Sequence, residues 1–267
     1  MASRKTPIIE RLFFERFDPA TGKLSDDLVT LVQLEVELQE TPVLSSRNPA
    51  NFMKDIVRSR SRNKNFPKAV VEAGWTARQL PGEGNCFRFV PLPEGQTTAF
   101  VSPDPDPALL AAPHPVESLS LAPASRTFGR SDETWLTHVV TNLRIVHTHF
   151  GLRSSLPIIG LELLQSNVKL GKAEVDAVYL GTQVDGSNFL VSCEMKGPKE
   201  VLDLDQIERG AEEVFEASAA EAAFIVPMGI QSLSGGLVWI VEFAAELPLA
   251  KASEGVYKPR PAVQGIG

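Results

Sequence analysis

"AEVDAVYLGTQVDGSNFLVSCEMKG", residues 173–197, reads as two apolar strands around a tight turn, and both strands carry charges in otherwise hydrophobic runs. Asp185-Gly186 is a strong hairpin signal. Glu174 and Asp176 lie in the first run, Glu194 and Lys196 in the second. Members of each pair are two residues apart, so each pair projects from one face of the sheet. Charges are seldom buried unless they are paired or coordinated. A hairpin with one solvated face and ion pairs across it would be polar along its whole length. Here Val178 and Leu180 share the face of Asp176, and Leu190 and Ser192 share that of Glu194. The charges gather at one part of each strand, as the lining of a cleft would.

Outward from the hairpin, "SDETWLTHVVTNLRIVHTHF" predicts an amphipathic helix capped by Ser131, with Trp135, Val139, Leu143, Val146 and Phe150 along one side. "LPIIGLELLQSNVKLGK" begins as a strand, "VLDLDQIERGAEEVFEASAA" is a helix, and "AAFIVPMGI" and "GLVWIVEFAAE" are two more strands. Helix, strands, helix and strands imply an α/β domain on a mixed sheet, over residues 128–250. Residues 251–267 read as a tail, and the eight prolines within 91–123 make 91–127 a linker.

Ahead of that linker, "SDDLVTLVQLEVEL", "NPANFMKDIVRS" and "NFPKAVVEAG" predict three helices, capped in turn by Ser25, by Asn48 with Pro49, and started by Pro67. "WTARQLPGEGNCFRFVPL" predicts two strands around a Gly-rich turn. Three helices and a hairpin give residues 1–90 the order of a winged-helix-like DNA-binding module. Net charge is −7, yet Arg47 to Arg88 holds nine Lys/Arg against three acids, +6 locally and −13 elsewhere. Such a split points to a polyanion-binding surface, with Arg58, Arg60, Arg62, Lys64, Lys68 and Arg88 as candidates.

Composition sets the class. The hydrophobic share of 43% and charged share of 22% are those of a globular protein. Two cysteines 107 positions apart offer no disulfide framework, so a reducing cytoplasm is expected. No apolar run spans a membrane, and the first residues hold no signal-peptide core. There is no GxxxxGK[ST] phosphate loop, no GxGxxG after a strand and no GxSxG.

Hard cations such as Mg2+ take oxygen ligands, often one or two carboxylates with waters and phosphate. Asp176 and Glu194 offer that pair, while Lys196 offers a group to orient a water or neutralise charge developing on a phosphate. Asp, seventeen residues, then Glu-x-Lys across a hairpin resembles the PD-(D/E)XK nuclease signature, with Val175-Asp176 where Pro-Asp often stands. The resemblance spans roughly residues 130–245 and is nearest to type II restriction endonucleases. It implies a restriction-endonuclease-like mixed sheet flanked by helices, and Mg2+ held by Asp176, Glu194 and the carbonyl of Met195. It also implies a supporting acid from the preceding helix region, Glu133 or Glu162, with Glu174 beside Asp176 and Gln206 assisting from the next helix. The expected activity is sequence-specific cleavage of double-stranded DNA by a homodimer, with a companion methyltransferase acting on the same site. A repair or junction-resolving nuclease is the alternative within the fold. A DNA-binding regulator that does not cut is the alternative outside it.

Overall fold

The computed structural model describes residues 3–41, 48–80, 82–171, 173–218, 222–245 and 249–267. The chain divides into two units, Met1–Val101 and Ser102–Gly267.

In the first unit α1 (Thr6–Phe14) buries Ile8, Ile9, Leu12 and Phe13. A small hairpin, β1 (Phe17–Asp18) with β2 (Lys23–Leu24), precedes β3 (Leu28–Thr30), which runs straight into α2 (Leu31–Gln39). The cap predicted for this helix at Ser25 therefore lies five residues later. Thr30 is its cap: Thr30 Oγ1 accepts from the Gln33 amide at 3.3 Å, and Gln33 Oε1 accepts from the Thr30 amide at 2.9 Å. This reciprocal box is worth about 1 kcal/mol and outcompetes the upstream serine, whose neighbours are drawn into strand pairing. Asn48 does cap, accepting from the Ala50 amide at 3.0 Å, but it starts only a 3-10 turn, Pro49–Asn51. Short helices α3 (Lys54–Val57), α4 (Arg62–Asn65) and α5 (Lys68–Glu72) follow, then β4 (Trp75–Gln79) and β5 (Asn85–Pro91). The antiparallel sheet has the order β3-β5-β4. Phe13, Phe52, Phe66, Phe87 and Phe89 fill the core between sheet and helices.

The proline-rich stretch is not a linker. Residues 91–101 fold back onto the first unit: Thr76 Oγ1 donates to the Ala99 carbonyl at 2.7 Å, and Asn63 Nδ2 to that of Phe100 at 2.9 Å. The second unit then opens with α6 (Pro107–Ala111), β6 (His114–Glu117) and α7 (Pro123–Phe128). Pro115 is tolerated in β6 because this is an edge strand, where proline's missing N–H is most easily accommodated.

α8 (Glu133–Asn142) and α9 (Ile145–Leu152) replace the single helix expected there. Arg144, left-handed at φ 50°, breaks the run, and Asp132 rather than Ser131 caps α8, accepting from the Trp135 amide at 2.8 Å. The remaining elements are β7 (Ile158–Lys169), β8 (Glu174–Gln183), β9 (Asn188–Lys196), α10 (Leu204–Ser218), β10 (Ile225–Leu233), β11 (Leu237–Phe243) and β12 (Lys251–Arg260). They form a seven-stranded mixed sheet, β6-β12-β11-β10-β9-β8-β7. The β9–β10 and β6–β12 pairs are parallel and the others antiparallel. A parallel β9–β10 pair needs a crossover, and α10 supplies it. The predicted tail is a correction as well. Residues 251–260 are the strand between β11 and β6, with Val256 and Tyr257 buried, an apolar core too short to show as a pattern.

The unit is thus mixed α/β with helices on both faces. Leu136, Val139, Val146 and Phe150 of α8 and α9 pack on Ala177, Tyr179, Cys193 and Met195. Ala211 and Val214 of α10 pack against Val178 and Leu190 on the other face. Cys193 and Cys86 are both buried and unpaired. Among the described residues no helix is long and apolar enough to cross a membrane.

Candidate functional site

The β8–β9 ladder runs from Thr182↔Asn188 to Ala177↔Cys193 and stops there. The next residues on the two strands are Asp176 and Glu194. β9 continues beyond that point only because β10 accompanies it, with Glu194↔Gly229, Met195↔Ile230 and Lys196↔Gln231. The Met195 amide, released from a ladder with β8, donates instead to Asp176 Oδ2 at 2.6 Å. The end of a strand pair thus becomes a clamp on a carboxylate.

Lys196 lies beside it, 1% exposed. Its ammonium donates to Glu194 Oε1, to Glu133 Oε1 at 3.2 Å and to the Met195 carbonyl at 3.3 Å. Glu133 comes from the first turn of α8, where Asp132 holds the helix start and Thr137 Oγ1 touches Met195 Sδ at 3.1 Å. Burial pushes the Asp176 carboxyl up to about 6, against the pull of the Met195 N–H and the Lys196 charge, and the nearby Glu133 and Glu174 carboxylates add to the rise. Three carboxylates and one ammonium leave the cluster with surplus negative charge in a desolvated place. That is an environment which a cation relieves.

The other predicted members divide. Glu174 starts β8, exposed and 3.8 Å from Lys169, and reaches Asp176 only through its charge. Gln206 lies in the first turn of α10, next to Ile207. Ile207 and Leu202 press onto Gly229, the partner of Glu194, at a place where a Cβ would come 2.7 Å from Leu202 Cδ1. Glu162 does not belong to the site. It pairs with Leu180, four residues up β8 from Asp176, and is exposed. At about 3.4 Å per residue that is more than 10 Å along the strand.

In the first unit the basic residues are not equivalent. Arg62 is 2% exposed; it donates to the carbonyls of Val57 at 3.4 Å and Val101, and lies over the Phe100 ring. It is a buried structural cation and leaves the DNA-contact set. Arg60, Lys64, Lys68 and Arg88 are exposed and Arg58 is partly so. Lys68 pairs with Glu72 at 2.8 Å, and Arg88 with Asp27 at 3.3 Å.

A second buried polar group went unread in the sequence. His149 Nδ1 lies 3.0 Å from Tyr257 Oη, and its Nε2 is 2.9 Å from Ser253 Oγ and 3.3 Å from Glu242 Oε2. Ser253 and Ser154 donate to the two oxygens of Glu242 at 2.8 and 2.9 Å. Burial raises the Glu242 carboxyl, but the bonds from His149, Ser253 and Ser154 outweigh it and leave it below its ordinary value. The signal was available: Glu242 is a charge inside the apolar run "GLVWIVEFAAE".

Comparison with protein-family models, with curated proteins and with solved structures returns no match to this chain. Among the described residues no group of three or more His, Cys, Asp and Glu is arranged to hold a metal. Asp176, Glu194 and the Met195 carbonyl, which accepts from Lys196 at 3.3 Å, are oxygen donors of the kind a hard cation takes together with water.

Proposed function

We propose that this chain is a Mg2+-dependent endonuclease that hydrolyses phosphodiester bonds of double-stranded DNA, of the restriction-endonuclease kind. The observation that carries the reading is the pair Asp176 and Glu194 at the end of the β8–β9 ladder, with the buried ammonium of Lys196 bonded to Glu194 and its charge felt at Asp176. Asp176, Glu194 and the Met195 carbonyl would hold the ion, which supplies charge neutralisation at the phosphate and acidifies a bound water. Lys196 holds a positive charge at the same place, offsetting the negative charge that builds on the phosphate oxygens as water's oxygen bonds to phosphorus and a P–O ester bond breaks. Glu133 and Glu194 hold that ammonium in place. Asp176, with its proton affinity raised, would have to lose its proton to hold the ion, so affinity for Mg2+ would rise as pH passes through about 6 and level off above it.

The first unit supports duplex binding. Helix α1, the β1–β2 hairpin, strand β3, helices α2–α5, then β4 and β5, in the sheet order β3-β5-β4, resemble the order of a winged-helix module with an added hairpin and extra short helices. Arg58, Arg60, Lys64, Lys68 and Arg88 supply its phosphate contacts. A two-fold homodimer would suit a palindromic target, and a companion methyltransferase would protect the same sequence.

Digestion of plasmid DNA with Mg2+ or with EDTA, beside Asp176→Ala and Lys196→Ala, tests the proposal. Discrete Mg2+-dependent fragments that both variants abolish are expected. A smear would move the reading to a repair or junction-resolving nuclease. Binding without cleavage of any DNA would overturn it in favour of a regulator.

A further inference from the structure

The start of α8 is held from outside the helix. Residues 261–267, after the last strand, turn back into the second unit, with Val263 and Ile266 buried in the same core as Leu136, Val139 and Met195. The Gln264 amide donates to the Arg126 carbonyl at 2.9 Å, and the Gln264 carbonyl accepts from Trp135 Nε1 at 2.8 Å. Backbone meets backbone here. A Cβ on Gly129 would overlap both the Gln264 carbonyl and the Trp135 indole, and one on Gly265, at φ 83°, would lie 2.5 Å from the Arg130 carbonyl. Trp135 is two residues from Glu133, whose carboxylate reaches Lys196.

Given the nuclease reading, which it deepens, we propose that Trp135, braced by the Gln264 carbonyl, is a positioning residue for the Glu133–Lys196 contact. The brace fixes the first turn of α8 in rotation and height, and with it the distance from Glu133 Oε1 to the ammonium. A loosened turn takes Glu133 away from the ammonium and leaves Lys196 held by Glu194 and the Met195 carbonyl without it. The acceptor end of the brace is backbone-defined, since it is the Gln264 carbonyl and its close approach needs Gly129. The indole N–H is its one side-chain term, and so the part that mutation removes cleanly.

The test uses the full chain with Trp135→Phe, Gly129→Ala, Glu133→Gln and the double variant Glu133→Gln/Trp135→Phe, in steady-state plasmid cleavage with melting temperatures alongside. Trp135→Phe is expected to lower kcat about 10-fold with KM unchanged, as a small displacement of a reacting group does. In the Glu133→Gln background the same change is expected to cost no more than about twofold, because both act on one contact. A full, additive loss in that background would overturn the proposal, as would a lowered melting temperature with kcat intact. Acylation of Lys196, read by mass spectrometry, reports on positioning without any cleavage. A rise of about fivefold or more in Trp135→Phe and Gly129→Ala supports the brace even if the wild type proves not to cut DNA. Unchanged acylation in both variants overturns it even if the nuclease reading stands.

Discussion

Two buried polar clusters sit in one unit, on elements of one sheet, and they are built on opposite principles. In the cluster of His149, Glu242, Ser253, Ser154 and Tyr257, each acceptor has a donor matched to it, and the carboxyl of Glu242 is held below its ordinary range. In the cluster of Asp176, Glu194, Lys196 and Glu133, carboxylates outnumber cations, and the carboxyl of Asp176 is raised to about 6. The first network ties α9 to β11 and β12 and asks for nothing further. The second gathers more carboxylates than cations, and on the proposed reading it is the place where a cation would bind. What distinguishes the two clusters is the balance of charge within the burial.

The difference is broken most severely by removing the site's charges. Asp176→Ala and Lys196→Ala should each lower DNA cleavage by about 10^3-fold or more, measured as initial rates. Asp176→Ala should keep a melting temperature at or above that of the wild type. Lys196→Ala, which takes the ammonium from buried Glu194, should also lower it, so its rate is read per folded molecule. The matched cluster should answer in the other currency. His149→Ala leaves Glu242 buried without a principal partner and should destabilise the fold by about 3–5 kcal/mol in denaturant titration, with the rate per folded molecule unchanged. If His149→Ala instead kills cleavage in fully folded protein, the division of roles is wrong.

Acid sensitivity sharpens the contrast, because the two carboxyls carry opposite signs. Asp176 is raised, so its contribution to stability is full below the ordinary carboxylate value of 3.8 and is lost as pH rises through about 6. Asp176→Asn should therefore stabilise the metal-free protein by about 2–3 kcal/mol at neutral pH, a gain that vanishes near pH 4. Mg2+ should raise the melting temperature of the wild type and not of this variant. Glu242 is lowered, so the stability it brings is present above 4.5 and is lost as pH falls below its depressed value. Glu242→Gln should accordingly flatten the acid limb of the stability curve.

The smallest effects separate the two kinds of arginine in the first unit. Arg62→Ala should cost about 2–3 kcal/mol of stability through lost hydrogen bonds and packing. Arg60→Ala should leave stability within about 0.5 kcal/mol yet weaken DNA binding and reduce the slope of log K against log salt by about 1.

Much of this was legible in the sequence where the signal is local. The hairpin, its Asp-Gly turn and the facing of Asp176, Glu194 and Lys196 follow from a period of two, and the structure keeps them. What escaped was decided by distant partners. Glu133 and Glu162 are alike in sequence, and only the register of β7 on β8 separates them. Arg62 looks like its exposed neighbours until Phe100 and Val101 fold over it. The Thr30 box was readable as Thr-x-x-Gln but lost to an earlier serine with acids behind it. Strands β6 and β12 are proline-bearing and only weakly patterned; β12 is held between β11 and β6, and among the described residues β6 has β12 as its one sheet neighbour.

That last pairing has a consequence for how the unit is assembled. β7, β8 and β9 are neighbours in sequence and in space, so their pairing can begin as soon as they are made. β6 is synthesised before all of them and waits for a partner 143 residues further along, as the bond between Ser118 and Pro261 also records. Loop closure over such a span comes at an entropic cost that local hairpins do not bear. The β8–β9 hairpin therefore belongs to the early-forming part of the sheet, and the opposite edge is zipped shut last.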